Sequence, residues 1–183
     1  MGPLTTHSAD HPSSTDQAPG DRQDLEIRPP SLAEGADLWR LARDSGTLDL
    51  NTSYAYLLMA RDFAATTRLA LRGGTPVGFV LGYLRPTAPG TLFVWQIAVD
   101  ASQRGKQVAG RLLDALLEDH PQITQLETTI TQYNTASQRL FASFARRHGA
   151  DETVTPLITE AHFPDAGHGA ELLHTIGPLT GRA

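Results

Sequence analysis

The chain of 183 residues contains no cysteine. That absence excludes a disulfide framework, a thiolate metal site and a cysteine nucleophile. No apolar run approaches the roughly 20 residues that a membrane helix needs, and no basic-then-apolar leader is present. No membrane contact is expected, and a cytoplasmic location is the expectation that follows. Nor is there a long block of Lys or Arg: 15 basic against 20 acidic residues leave a net charge of −5. A nucleic-acid partner is therefore not expected. The seven histidines are scattered rather than spaced as ligands, so no metal is expected. Internal repeats are absent as well.

What is present suits one globular domain. Hydrophobic residues make up 40% of the chain and charged residues 19%, enough for a sizeable core. Residues 1–24 are rich in Ser, Thr, Asp, His, Pro and Gly and read as a disordered tail, with the domain running over 25–183. Leu25–Arg28 is a short strand stopped by Pro29-Pro30. Ser31 and Glu34 form a capping box for a helix that buries Leu38, Leu41 and Ala42 and ends near Gly46. Ser53 is placed to cap a second helix with a stripe of Tyr54, Leu57, Leu58 and Phe63. Thr67–Arg72 and Pro76–Leu84 read as strands joined by a Gly73-Gly74 turn, and Arg85–Gly90 as a loop. A long strand over Thr91–Val99 follows, then a helix from about Gln107 to Asp119. Thr124–Thr131 is a further strand. Asn134 opens a last helix ending at Gly149, and Thr155–Phe163 and Glu171–Ile176 read as a closing strand pair. This order predicts an α/β (α+β) fold, a mixed sheet of about seven strands with helices on both faces.

The segment Leu92–Leu117 carries most information. Phe93, Val94, Ile97, Ala98 and Val99 form a strand-like apolar run, and Leu112, Leu113, Leu116 and Leu117 recur at helical spacing. Between them lies the basic turn Arg104-Gly105-Lys106-Gln107-Val108-Ala109. A helix opening there turns unpaired N–H groups toward an anion, which suits a phosphate or pyrophosphate. The alternative is a solvated helix start with two surface cations. The arrangement resembles the acetyl-CoA loop of the GNAT acetyltransferases, Arg/Gln-x-x-Gly-x-Gly/Ala, with Arg104, Gln107 and Ala109 in those places. Gln107 departs from the family's glycine. The resemblance covers residues 25–179 and implies acetyl-CoA as co-substrate. It places the cofactor on Arg104, Gly105, Lys106, Gln107, Val108 and Ala109, on the main chain of Ile97, Ala98 and Val99, and on Asn134.

Further segments narrow the resemblance: Leu48–Leu58, Thr91–Val99, Leu126–Thr131 and the closing Ile176–Leu179. Together they are similar to the L-2,4-diaminobutyrate acetyltransferases of ectoine biosynthesis. That likeness implies acetylation of a side-chain (N4) amine by direct transfer in a ternary complex, and a homodimer is expected from the family and from the exposed sheet edge. It implies substrate contacts from Asp49, Tyr54, Trp95, His168 and Glu171, although these relatives tend to carry an acidic residue where Gly169 stands. A GNAT tyrosine that serves as general acid falls at Phe141, so Tyr133 and Tyr54 are both open as substitutes.

Chemistry adds its own requirements. An alkyl ammonium, with a pKa near ~10, must lose a proton before it attacks a thioester. Glu127 interrupts an apolar, threonine-rich strand. It stands either at a solvated sheet end or in a cleft, where a raised pKa would suit a general base. Glu127 is the expected base, with Tyr54 and Trp95 beside the reacting groups. Two rival readings stay open. One is N-acetylation of another small diamine or amino acid such as lysine or ornithine. The other is an acyl-CoA-sensing module without catalysis.

Overall fold

The computed structural model describes residues 25–179; the expected tail over 1–24 and the last residues, 180–183, lie outside the described part. Strands β1 (Leu25–Arg28), β2 (Thr67–Arg72), β3 (Thr75–Arg85), β4 (Ala88–Val99), β5 (Gln125–Thr131), β6 (Asp151–Ile158) and β7 (Glu171–Gly177) form one sheet in the order β1-β2-β3-β4-β5-β7-β6. Helices α1 (Gly35–Ser45) and α2 (Ser53–Asp62) cover one face, and α3 (Val108–Glu118) and α4 (Thr135–Arg147) the other. This is the mixed sheet that the element order predicts.

Two apolar clusters hold the layers together. Leu112, Leu113 and Leu116 of α3 and Phe141 and Phe144 of α4 pack on Val94, Leu126 and Ile176. Leu38 and Leu41 of α1 and Tyr56 and Met59 of α2 pack on Leu69, Phe79 and Leu81. Burying each such side chain contributes about 1.5–3 kcal/mol. The central strands are covered on both faces, so β3 is a continuous buried run from Val77 to Leu81 rather than an alternation.

The structure corrects several readings. The N-cap of α2 is Thr52, whose hydroxyl accepts from Ala55 N–H, not Ser53. The buried face of α2 is Tyr56, Met59 and Ala60, while Tyr54 is 66% and Phe63 41% exposed. Arg85–Gly90 is not a loop: β3 runs to Arg85 and β4 starts at Ala88, leaving Pro86-Thr87 as the turn. β6 begins at Asp151 and ends at Ile158. Its polar start, exposed at the sheet edge, lacks the apolar alternation by which a strand is recognised.

The Ser31–Glu34 capping box forms, and Glu34 also accepts from Arg28 of β1 at 2.6 and 3.0 Å. The Arg28 guanidinium is the main cause that holds the Glu34 carboxyl at about 2, well below its ordinary 4.5. A carboxyl depressed in the folded state stabilises the fold above its unfolded pKa and loses that contribution as pH falls through the folded value. The stability difference between the wild type and Glu34→Gln is therefore expected to be full above pH 4.5 and to vanish toward pH 2. Urea unfolding at several pH values checks this; a difference independent of pH would contradict the ion pair.

Candidate active site

Among the described residues, β4 and β5 are the only parallel neighbours in the sheet, and they pair only from Thr91↔Gln125 to Val94↔Thr128. Beyond Val94, β4 continues to Val99 while pairing only with β3. The β5-facing edge of Ile97, Ala98 and Val99 is thus left without a strand partner, and a seam opens between the two strands. A bulge lies at its start. Leu81 pairs with Gln96 and Gly82 with Val94, so Trp95 is the extra residue. The bulge changes which face successive side chains take. Val94 and Ile97 both pack under α3 and α4, Gln96 reaches Tyr56 of α2, and Trp95 is left 39% exposed. Gly82 makes this possible, because a Cβ there would stand 2.8 Å from Phe93 O.

At the far end of the seam β4 runs into a short turn. Asp100 Oδ1 accepts from Ser102 N–H at 2.9 Å, Gly105 takes φ +78° and Gln107 φ +60°. Helix α3 starts directly after, and Gln107, its N-cap, provides no side-chain cap. The first-turn amides of α3 therefore face a groove of about 730 Å³ between α3 and α4, lined by Arg104, Gln107, Arg139, Ser143 and Arg147 over an apolar floor of Val99 and Val108. Arg147 is tied to Asp114 at 3.1 Å. Uncapped amides, guanidinium groups and an apolar strip along an open strand edge fit a phosphate-bearing cofactor with an extended arm. Asn134 Oδ1 caps α4 by accepting from Ser137 N–H at 3.0 Å. Lys106 sits in the same turn as Arg104.

Gln107 is the one non-glycine residue at positive φ among the described residues. A side chain there costs about 1–2 kcal/mol. Gln107→Gly is therefore expected to stabilise the protein by about 1 kcal/mol and to keep cofactor binding, because the donors are main-chain amides. Denaturant unfolding with and without acetyl-CoA measures both. A destabilised variant would show instead that the glutamine side chain holds the turn.

The face of the sheet that carries α1 and α2 holds the other candidates. Glu127, on β5 between Phe93 of β4 and Thr175 of β7, is buried, with 6% exposure. It is not at a solvated end. Arg85 Nη1 donates to its oxygens at 2.9 and 3.2 Å, and Gln125 Nε2 donates at 3.2 Å. A carboxylate offers about four acceptor sites, so Glu127 has room for a further donor. Glu171 opens β7 opposite Thr131, on the same face of β5 about 13 Å further along. Asp49 is exposed in the loop before α2; its main-chain oxygen accepts from Gln96 Nε2 at 2.9 Å, which ties it to the residue beside Trp95.

His168 stacks on Phe163 with centroids 4.5 Å apart and lies 3.3 Å from Asp165, so it is held by its own loop. Phe141 is buried in the core at 1% exposure and presents nothing to the seam, whereas Tyr54 and Tyr133 are 66% and 79% exposed. Arg85, Gln125, Tyr56, Gln96 and Arg139 did not stand out in the sequence. Arg85 and Glu127 are 42 residues apart, and no local pattern marks such a pair. Among the described residues no group of His, Asp or Glu is placed to hold a metal, and no helix is long and apolar enough to cross a membrane.

Residues 35–145 match the model of the acetyltransferase (GNAT) family. The chain is 54% identical over 160 residues to the L-2,4-diaminobutyric acid acetyltransferase of Streptomyces avermitilis, covering 85% of this chain and 89% of that protein. It is 46% identical over 153 residues to the enzyme of the same name from Marinococcus halophilus, covering 82% and 88%. Its structure is similar to that of the diaminobutyrate acetyltransferase EctA from Paenibacillus lautus, solved in complex with its substrate L-2,4-diaminobutyric acid and coenzyme A. The TM-score is 0.82 at 36% identity, over 88% of this chain and 99% of that one.

Proposed function

The chain belongs to the acetyltransferase (GNAT) family, and from that premise we propose that it moves the acetyl group of acetyl-CoA to the side-chain (N4) amine of L-2,4-diaminobutyrate. The transfer is direct, within a ternary complex, as a step of ectoine synthesis in the cytoplasm. The observation that carries this reading is the seam beyond Val94 and Thr128, which starts beside the Trp95 bulge and Glu127 and runs toward the α3 groove. The relatives that act on diaminobutyrate support the choice of substrate.

The chain's residues divide the work. The α3 amides, with Arg104 and Arg139, hold the phosphates. The open edge of Ile97–Val99 holds the extended arm. Acetyl-CoA supplies the electrophilic thioester carbonyl. Asp49 and Glu171 take the positive charge of the diamino acid, Trp95 flanks a cation with its ring face, and Glu127 takes a proton from the attacking ammonium. A nitrogen–carbon bond forms, the carbon–sulfur bond breaks, and coenzyme A leaves as its thiol, its sulfur taking the second proton that the nitrogen gives up. Tyr54 lines the mouth of the pocket. β6, with Val154 and Leu157 each 48% exposed at the sheet edge, is the surface that joins two copies. NMR of the product tests the position of transfer: acetyl on the side-chain nitrogen is expected, and acetyl on the α-nitrogen would overturn it. Initial rates with both substrates varied should give intersecting lines; parallel lines would indicate a covalent enzyme intermediate instead.

A further inference from the structure

The loop before α2 carries Asp49, yet little holds it in place. Gly46 turns the chain at φ +63°, and the hydrogen bonds from Thr47 N–H to Ser45 and from Asn51 to Asp49 O stay within the segment. Leu48 is half-buried against the α1–α2 core. Among the described residues, the hydrogen bond that ties the loop to the sheet is the one from Gln96 Nε2 to Asp49 O, at 2.9 Å. Gln96 is itself buried, at 6% exposure, in the central strand directly after the Trp95 bulge. Its Oε1 accepts from the hydroxyl of Tyr56 at 2.9 Å. Tyr56 is 1% exposed and is fixed edge-on against Phe79, with centroids 6.4 Å apart at 79°.

An amide in this position is not what core stability alone selects. Leu69, Phe79 and Leu81 surround the same face, and burying an amide and a phenol there costs free energy unless both are bonded. Here both are. Tyr56 sets the orientation of the Gln96 amide, and the amide then donates to the loop. The chain of bonds runs from the rigid α2–sheet interface to the carbonyl of Asp49, one of the two carboxylates proposed to hold the diamino acid's positive charge. Because Gln96 follows the bulge, the same residue also fixes where the loop stands relative to Trp95.

We infer that Gln96, oriented by Tyr56, is a positioning residue for substrate specificity: it anchors the Asp49 main chain to the strand and so sets the affinity for the amine without touching it. The inference rests on the proposed role of Asp49 as a substrate contact. A fixed loop binds more tightly because ordering is not left to the moment of binding.

Steady-state kinetics of the full chain test this, with L-2,4-diaminobutyrate and acetyl-CoA varied separately. Gln96→Leu removes both bonds. Gln96→Glu keeps an acceptor for Tyr56 but loses the donor to Asp49. Tyr56→Phe keeps the donor and loses its orientation. The expected result is a KM for the amine raised about tenfold in Q96L and Q96E and about threefold in Y56F, with kcat and the KM for acetyl-CoA within about twofold. Asp49→Ala is expected to raise the same KM, and Q96L added to it should raise it little further, because both act through one residue. An Asp49→Ala variant with unchanged KM would overturn the role of Asp49 and this inference with it. A raised KM in Asp49→Ala, with the effect of Q96L undiminished in that background, would overturn this inference alone. So would equal losses for both substrates in Q96L and Y56F. Should Q96L fail to fold, the conservative Y56F and Q96E decide.

Discussion

Replacing Glu127 by Gln is expected to lower kcat by about 10²–10³-fold and to leave the affinity for acetyl-CoA unchanged. The expectation follows from a proton that has to be removed. At neutral pH the substrate amine is almost wholly protonated, with a pKa near ~10, and only the free amine is a nucleophile. Glu127 is the one buried acidic side chain among the described residues. It lies on the sheet face that carries α1 and α2, beside the start of the seam, and retains acceptor capacity after Arg85 and Gln125 are counted. Glutamine keeps the shape and still accepts from Arg85, but it cannot take a proton. Arg85 has a side chain 40% exposed, so losing its charged partner leaves it solvated and costs little stability. The variant should therefore fold normally and fail in the chemical step. Single-turnover rates at saturating substrate, with acetyl-CoA affinity measured calorimetrically, separate these quantities. A variant that keeps more than about a third of the wild-type kcat would place the base elsewhere, since general-base catalysis is worth at least about 10²-fold.

The largest effect on stability is expected at Arg68→Met, about 3 kcal/mol. Arg68, on β2, is 3% exposed along its side chain. Its Nε and Nη2 donate to Asp119, which ends α3, and its Nη1 donates to the carbonyls of Ala65 at 2.8 Å and Thr67 at 2.7 Å, with Ala64 O at 3.4 Å. Buried ion pairs are often replaced by apolar residues at no net cost. The difference here is the set of carbonyls. Asp119 has a side chain 58% exposed and recovers water when Arg68 is lost, but methionine has no donor for the oxygens that Arg68 satisfies. Ala65 O keeps His120 at 2.7 Å; the others lose their side-chain donor. The pair Arg61–Asp62, with side chains 59% and 45% exposed, is the contrast: breaking it should change nothing measurable. Urea unfolding of Arg68→Met measures the difference. A loss below about 1 kcal/mol would mean that the carbonyls find other partners.

The fold was legible where local pattern and tertiary role agree. The β4–turn–α3 segment could be read because a buried parallel strand, a basic turn and a leucine stripe each leave a signal within a few residues. Gln107 already marked a departure from glycine, and its positive φ is the structural form of that departure. The misreadings have a common physical cause. The stripe expected of α2 follows helical spacing from Tyr54 through Leu57 and Leu58, a spacing that leaves Tyr56 out. Tyr56 is buried by packing on Phe79, and its hydroxyl is satisfied there by Gln96, 40 residues away. The start of β6 was missed because an edge strand with both faces exposed has no alternation to show. The partner of Glu127 was invisible for the reason that Arg85 comes from a different strand. The exposure of Trp95 depends on a bulge, which is set by register against Gly82 and not by anything within Phe93–Ile97. Site chemistry in this chain is made by contacts across the sheet, and composition and periodicity do not record those.

The central claim is a specific acetyl transfer, and thiol release from acetyl-CoA tests it most directly. Purified protein would be given L-2,4-diaminobutyrate, ornithine, lysine and 2,3-diaminopropionate in turn. Rapid release with diaminobutyrate, and at least about tenfold lower kcat/KM with each of the others, is the predicted result; a misplacement of a single methylene is worth about 1–3 kcal/mol. Equal release across the panel, or none with any amine while acetyl-CoA still binds, would contradict it.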